Sequence, residues 1–154
     1  MKVGLVTGEY PPMEGGVGAY TQQLARALHG LGHQVHVLTS AGTTHAASSR
    51  QESGLWVHRS IQRWNVTGMS EVGRWVREFG LRGVDLQYEP AAFGLRGAVT
   101  FAPHLARIPH TVPLVITFHD LMPPYLFPKA GSLRQWRVWQ LGKHADGIIT
   151  TNED

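Results

Sequence analysis

Two stretches of the chain carry residues whose types and spacing could do chemistry. The first is Glu9-Tyr10-Pro11-Pro12-Met13-Glu14-Gly15-Gly16-Val17-Gly18-Ala19-Tyr20. Paired prolines cannot continue a strand ladder, and paired glycines let the backbone turn and come close to a ligand. The stretch leaves an apolar run, Val3 to Thr7, and opens a helix-like run, Tyr20 to Leu31. Its N–H groups would therefore gather at a helix N-terminus, a setting that favours anions. The second is His119-Asp120, at the end of the short apolar run Pro113-Leu114-Val115-Ile116-Thr117-Phe118. A histidine there can donate to a hydroxyl or handle a proton near neutral pH, and the adjacent aspartate can orient it or bind a hydroxyl itself. If the strands are parallel, both stretches lie at their carboxyl ends, where open α/β sheets place ligands. Taken singly, each also has a plainer reading, as an ordinary connection and as one structural hydrogen bond.

Other chemistries find no support. Gly16-Val17-Gly18 is followed by Thr21 where a dinucleotide fingerprint needs its third glycine, and Val37-Leu38-Thr39-Ser40 lacks the acid that would hold a nucleotide ribose, so a nicotinamide or flavodoxin-like site is disfavoured. There is no Gly-x-Ser-x-Gly elbow and no Walker loop. His33 and His36 are three apart and would face opposite sides of a strand, and the remaining histidines show no ligand spacing, so no metal site is expected. With no cysteine, thiolate chemistry and disulfides are excluded, and a cytoplasmic location is the default expectation. The formal charge of +3 comes from eleven arginines and three lysines interleaved with acids, a poor footprint for nucleic acid. No apolar run approaches the roughly 20 residues of a membrane span, and Met1-Lys2 opens a strand pattern rather than a leader.

The elements that must position these residues read as one α/β domain spanning residues 1–154. Strands are expected at Val3 to Thr7, His33 to Thr39, Leu55 to Ile61, Val84 to Tyr88, Leu114 to Phe118 and Gly147 to Thr150. Val17, Tyr20, Leu24, Ala27 or Leu28, and Leu31 form the apolar stripe of a first helix. A second helix, capped by Ser70, buries Val72, Trp75, Val76 and Phe79 and stops at Gly80. Ala41 to Ser53 has no period of either kind and is read as a mobile loop. Leu95, Val99, Ala102 and Leu105 suggest a helix weakened by glycines and Pro103. In the last helix, Ser132 to Ala145, Val138, Leu141 and Ala145 project one way and Trp136 and Trp139 roughly the other. Its second apolar side calls for a further domain, another copy of the chain, or a membrane surface met with Arg137 and Lys143. Right-handed crossovers arrange the six strands as 3-2-1-4-5-6, a doubly wound parallel sheet of three α/β/α layers.

In combination the motifs become specific. Lys2-Val3-Gly4-Leu5-Val6-Thr7, Tyr10-Pro11-Pro12 with Gly15-Gly16-Val17, Leu31-Gly32-His33-Gln34-Val35, Val84-Asp85-Leu86-Gln87-Tyr88, Ile116-Thr117-Phe118-His119-Asp120 and Ala145-Asp146-Gly147-Ile148-Ile149-Thr150 occur in this order. Together they resemble the N-terminal domain of a family 4 glycosyltransferase. The resemblance implies a retaining enzyme of GT-B architecture, in which two Rossmann-like domains face each other across a cleft and a sugar passes from a nucleotide-sugar donor to a carbohydrate, lipid-linked or small-molecule acceptor. Carried onto this sequence, it assigns Gly15, Gly16 and Val17 to the donor-phosphate loop and His119, with Asp120, to the transferred sugar. Tyr10, Tyr20 and Glu89 fall on the acceptor side. It implies no metal or other cofactor. The family's donor pocket, with a basic pair and a Glu-x7-Glu motif, belongs to a C-terminal domain for which this chain has no equivalent: Glu71 and Glu78 have the wrong spacing and place. The expectation is thus an acceptor-binding half that is inactive alone. The alternative is a non-catalytic binding module of the same fold.

Overall fold

The computed structural model describes residues 1–42, 47–119 and 131–151. Along these run β1 (Lys2–Thr7), α1 (Gly16–Gly30), β2 (Gln34–Ser40), β3 (Ser48–Glu52), β4 (Leu55–Ile61), α2 (Val66–Phe79), β5 (Val84–Tyr88), a 3-10 turn (Gly97–Phe101), α3 (Ala102–Leu105), β6 (Leu114–Phe118), α4 (Gly131–Gly142) and β7 (Gly147–Thr150). The strands form one sheet in the order β3-β4-β2-β1-β5-β6-β7. Every neighbouring pair is parallel except β3 with β4. Without β3 the order is the expected 3-2-1-4-5-6, and β6 is parallel to both neighbours.

The fold is the Rossmann-like α/β/α sandwich, with two apolar layers set by strand alternation. Leu5, Val35, Val37, Leu55 and Val57 face α1 and pack with Ala25 and the ring of Tyr10. Val6, Leu38, Leu86, Ile116 and Phe118 face the other way, where Met69, Val72, Trp75 and Val76 of α2, Val99 and Ala102, and Leu141 of α4 close over them. Such crossovers are right-handed because a right-twisted strand feeding a right-handed helix packs back on the sheet only that way. α2 lies so close to the following layer that a Cβ on Gly73 would overlap the Ala106 carbonyl oxygen.

Four expectations require correction. The stretch 41–53 contains a strand: Ser53 and Gly54, with φ of 50° and 84°, make a two-residue turn that folds Ser48–Glu52 back on β4 as an antiparallel edge. α2 starts a turn earlier than expected and is capped by Asn65, whose side chain accepts from the Gly68 N–H at 3.0 Å, whereas Ser70 bonds back to the Thr67 carbonyl. In α1 the buried line is Val17, Gly18, Thr21 and Ala25. Tyr20 and Leu31 are exposed, and the Thr21 hydroxyl is satisfied inside by the Val17 carbonyl at 2.7 Å. The weak helix around Leu95 to Leu105 is a 3-10 turn followed by one α turn, and Leu95 stands exposed outside it at φ 58°. In α4, as expected, Leu141 and Val138 join the core while Trp136 and Trp139 remain exposed.

Candidate functional site

The carboxyl ends of β1, β5 and β6 bring the two chemical stretches to one edge. β1 ends at Thr7, whose hydroxyl donates to the Glu9 carbonyl at 2.9 Å and so fixes the exit of the loop. The chain then passes through Pro11 and Pro12, whose shared peptide bond is cis, and enters α1 at Gly16. Gly15, the cap residue, has extended backbone (φ 164°) and no side chain to bond the helix N–H groups. Glu9 does that from below: its Oε1 accepts from the Gly18 N–H at 3.2 Å. A Cβ on Gly15 would overlap that carboxylate, so a side chain here would require the Glu9 carboxylate to swing away from the Gly18 N–H. Gly16 is exposed, and a Cβ on it meets nothing within 4 Å among the described residues. A side chain at Gly16 therefore leaves the described part of the turn unstrained and would obstruct only an incoming ligand.

His119 follows β6, and its backbone N–H reaches the Tyr88 carbonyl at 3.2 Å. Its Nε2 lies 2.9 Å from Gln87 Oε1, and since an amide oxygen only accepts, the pairing has Nε2–H as donor. Tyr20, one turn into α1, sets its ring edge-on to the imidazole at 4.7 Å between centroids. Burial lowers the His119 pKa, with the negative charge of Glu9 pulling the other way, so the ring is neutral at neutral pH. The glycine loop and His119 are therefore brought together, with Tyr20 and Glu9 as the bridging residues. Asp120 lies outside the described residues.

The acceptor-side candidates fare differently. Glu89 is at the same edge, where its Oε2 accepts from the Ala92 N–H at 2.9 Å and shapes the turn after β5. Tyr10 is 1% exposed, inside the α1 layer, with the Arg59 guanidinium 5.8 Å from its ring centroid. Arg59 in turn binds Glu52 at 2.6 Å and the Pro11 carbonyl, fastening the edge hairpin to the loop. Two contributors escaped sequence reasoning. Gln87 is fully buried yet reads like a solvent-facing strand position, and Glu9 precedes the glycines by too much to look like a cap. Among the described residues no group of three His, Asp or Glu side chains could hold a metal ion, and no helix is long and apolar enough to cross a membrane.

Comparison with known proteins decides the family, since residues 15–154 match the glycosyl transferase 4-like domain. The chain belongs to that family. No protein of curated function matches it significantly by sequence. Among solved structures, this glycosyl transferase 4-like chain is similar to sucrose-phosphate synthase from Thermosynechococcus elongatus (TM-score 0.70, 14% identity, 98% of this chain and 42% of that one). It also superposes on the catalytic domain of starch synthase IV from Arabidopsis thaliana, solved with ADP and acarbose (TM-score 0.54, 12% identity, 78% and 34%). A third is MurG of Acinetobacter baumannii (TM-score 0.52, 14% identity, 97% and 40%). The glycosyl transferase 4-like chain thus spans well under half the length of these structures, and its fold is that of the N-terminal half of a GT-B glycosyltransferase.

Proposed function

We propose that the chain is the acceptor-binding half of a retaining glycosyltransferase that moves a sugar, as a hexosyl group, from a nucleotide-sugar donor to an acceptor hydroxyl without a metal. The observation that carries this reading is the junction of a helix N-terminus open at Gly16 with a neutral His119 held by Gln87 and Tyr20. The first N–H groups of a helix have no partner inside it, and here they face a departing diphosphate. They stabilise the charge that builds as the bond from the sugar to phosphate breaks. His119 donates or accepts at a sugar hydroxyl and fixes the ring, with Asp120 beside it, while Tyr20 and Glu89 line the acceptor approach and Tyr10 supports the loop from the core. Trp136 and Trp139, exposed on α4 with Lys143 Nζ 4.2 Å over the Trp139 ring, face the second half of the architecture.

Half a cleft is a weak site. If each solvent-exposed charge contact contributes about 1 kcal/mol at most, against an association cost of several, the 154-residue chain alone binds a sugar nucleotide no better than about millimolar and does not turn it over. The test is calorimetric titration of this chain with common sugar nucleotides, together with transfer assays on a complete enzyme containing it. Replacing His119 by Ala in that enzyme should cut kcat/KM by about 100-fold or more while the melting temperature holds. Micromolar binding or turnover by residues 1–154 alone, or full activity in His119→Ala, overturns the assignment; absence of any transfer by the complete enzyme would favour a binding module.

A further inference from the structure

We propose that Glu9 is a positioning residue of this site: its carboxylate fastens the glycine loop to the end of β1 and sets a fixed negative charge opposite His119, so that loop and imidazole are presented as one unit. The proposal rests on reading this edge as the sugar-transfer site.

Three kinds of contact converge on Glu9. Its backbone is held, because its carbonyl accepts from Thr7 Oγ1 at 2.9 Å and lies 3.1 Å from where a Cβ on Gly18 would stand. Its side chain is held, because Oε1 accepts from the Gly18 N–H at 3.2 Å and the carboxylate fills the space that any side chain at position 15 would need. Its charge has no ion-pair partner among the described residues. What answers that charge is the positive end of α1 on one side and His119 on the other. An unpaired carboxylate beneath a loop that meets an anion would be a poor choice if it served only as a cap. Asn or Ser at Gly15 would satisfy the same N–H without net charge.

The loop thereby gains two faces. The inner face, at Gly15 and Gly18, is closed by Glu9; the outer face, at Gly16, stays open. A ligand phosphate is confined to the outer face, since the inner one already holds a negative charge. Among the described residues, the charged group that acts on His119 is Glu9 from the end of β1; Tyr20 from α1 sets its ring against the imidazole, Gln87 contacts it as a neutral amide, and Asp85 lies two residues before Gln87 on the same face of β5. Burial favours the uncharged ring, and Glu9 alone among these pulls towards the charged one.

Substitution Glu9→Gln keeps the size and the acceptor oxygen and removes only the charge, while Glu9→Ala removes both. In the 154-residue chain, the His119 ring is followed by NMR from pH 7.5 downward, its resonance identified by its loss in His119→Gln, and the Gly18 amide by hydrogen exchange. Glu9→Gln should move the His119 midpoint to lower pH with the melting temperature held, a change that a purely structural cap would not produce. Glu9→Ala should speed Gly18 exchange at least tenfold. An unmoved His119 midpoint in Glu9→Gln, or unchanged Gly18 exchange in Glu9→Ala, overturns the proposal. If Glu9→Ala does not fold, the Glu9→Gln titration alone decides. Neither readout involves transfer, so a failure here is distinct from failure of the sugar-transfer reading, which falls only if His119→Ala leaves the complete enzyme fully active.

Discussion

Mild acid should destabilise this domain through two histidines far from the candidate site. His36 on β2 and His58 on β4 are 2% and 3% exposed, their rings parallel within 2°, with His36 Nδ1 3.1 Å from His58 Nε2. His58 Nδ1 is 2.8 Å from Ser49 Oγ, and His36 Nε2 is buried without a partner among the described residues. Protonating either ring would set N–H against N–H or bury a charged donor with no acceptor. Burial, reinforced by Lys2 for His36 and by His36 for His58, holds both pKa values at about 4 against 6.5. A lowered histidine pKa means that the unfolded chain binds the proton first. The stabilisation from these two neutral rings is full above pH 6.5 and is lost as the pH falls towards 4. Asp85 works the other way: burial, only partly offset by hydrogen bonds from Thr117 and Gln87, raises its carboxyl to about 6, so the folded chain takes up that proton first and gains stability from pH 6 towards 4. Near pH 5 the unfolded chain therefore holds about two more histidine protons and the folded chain about one more carboxyl proton. The net of about one proton gives a slope of about 1.4 kcal/mol per pH unit, or about 2 kcal/mol between pH 6 and 4.5. His119, lowered by burial, adds in the same direction. Urea unfolding followed by tryptophan fluorescence, at constant ionic strength from pH 7 to 4.5, measures this directly. Removing the opposing proton with Asp85→Asn should steepen the slope to about 2.7 kcal/mol per unit. Stability that is flat or rises on acidification from pH 6 to 4.5, or a slope unchanged in Asp85→Asn, would refute the reasoning.

Neighbouring glycines of the loop should separate fold from function. Gly15→Ala drives a Cβ into the Glu9 carboxylate, displacing its bond to the Gly18 N–H, and should lower stability by about 1 kcal/mol in thermal melts, whereas Gly16→Ala meets no described atom and should melt like the parent while weakening donor use by the complete enzyme. Equal melting of the two variants would show that the loop is free to rearrange. Asn65→Ala removes the acceptor for the Gly68 N–H and should cost about 1 kcal/mol, while Ser70→Ala, which loses only an exposed bond to the Thr67 carbonyl, should stay within about 0.5 kcal/mol in the same melts.

The sheet was legible wherever burial demanded continuous apolar strands. Val3 to Thr7 and Leu114 to Phe118 are covered on both faces, so their composition alone marks them, and the short returns between strand and helix leave only the right-handed parallel order. Polar edges carried no such mark. Ser48–Glu52 pairs on one side only and is mostly exposed, so nothing forced an apolar pattern on it; the Ser53-Gly54 turn was the available signal. The start of α2 was hidden because Val66, Thr67 and Gly68 are poor helix formers, held in place by Asn65 and by burial of Met69. Thr21 went inside α1 where Tyr20 was expected, because a hydroxyl that can bond its own helix turn is cheaper to bury than its polarity suggests, while a ring at the helix start has His119 to lie against.

The site divides along the same line. Glycines and a histidine at strand ends are visible because their types are unusual for the places they occupy. Gln87, Thr117 and Thr7 are invisible because alternation assigns polar strand residues to water, yet all three are fully buried. Burying polar groups costs free energy unless each finds a partner, and here the pairings run Thr7 to the Glu9 carbonyl, Thr117 to Asp85 and His119 to Gln87 Oε1, each at 2.9 Å. On the face towards α1, the sheet therefore changes along its strands from an apolar layer at Leu5, Val35 and Val37 to a polar one at the carboxyl edge of β5 and β6. A sheet built only for stability would continue the apolar layer. The polar end holds His119 by a directed bond to a buried amide as well as by the edge of the Tyr20 ring, and a ring fixed by both is pre-organised at the edge that carries the glycine loop.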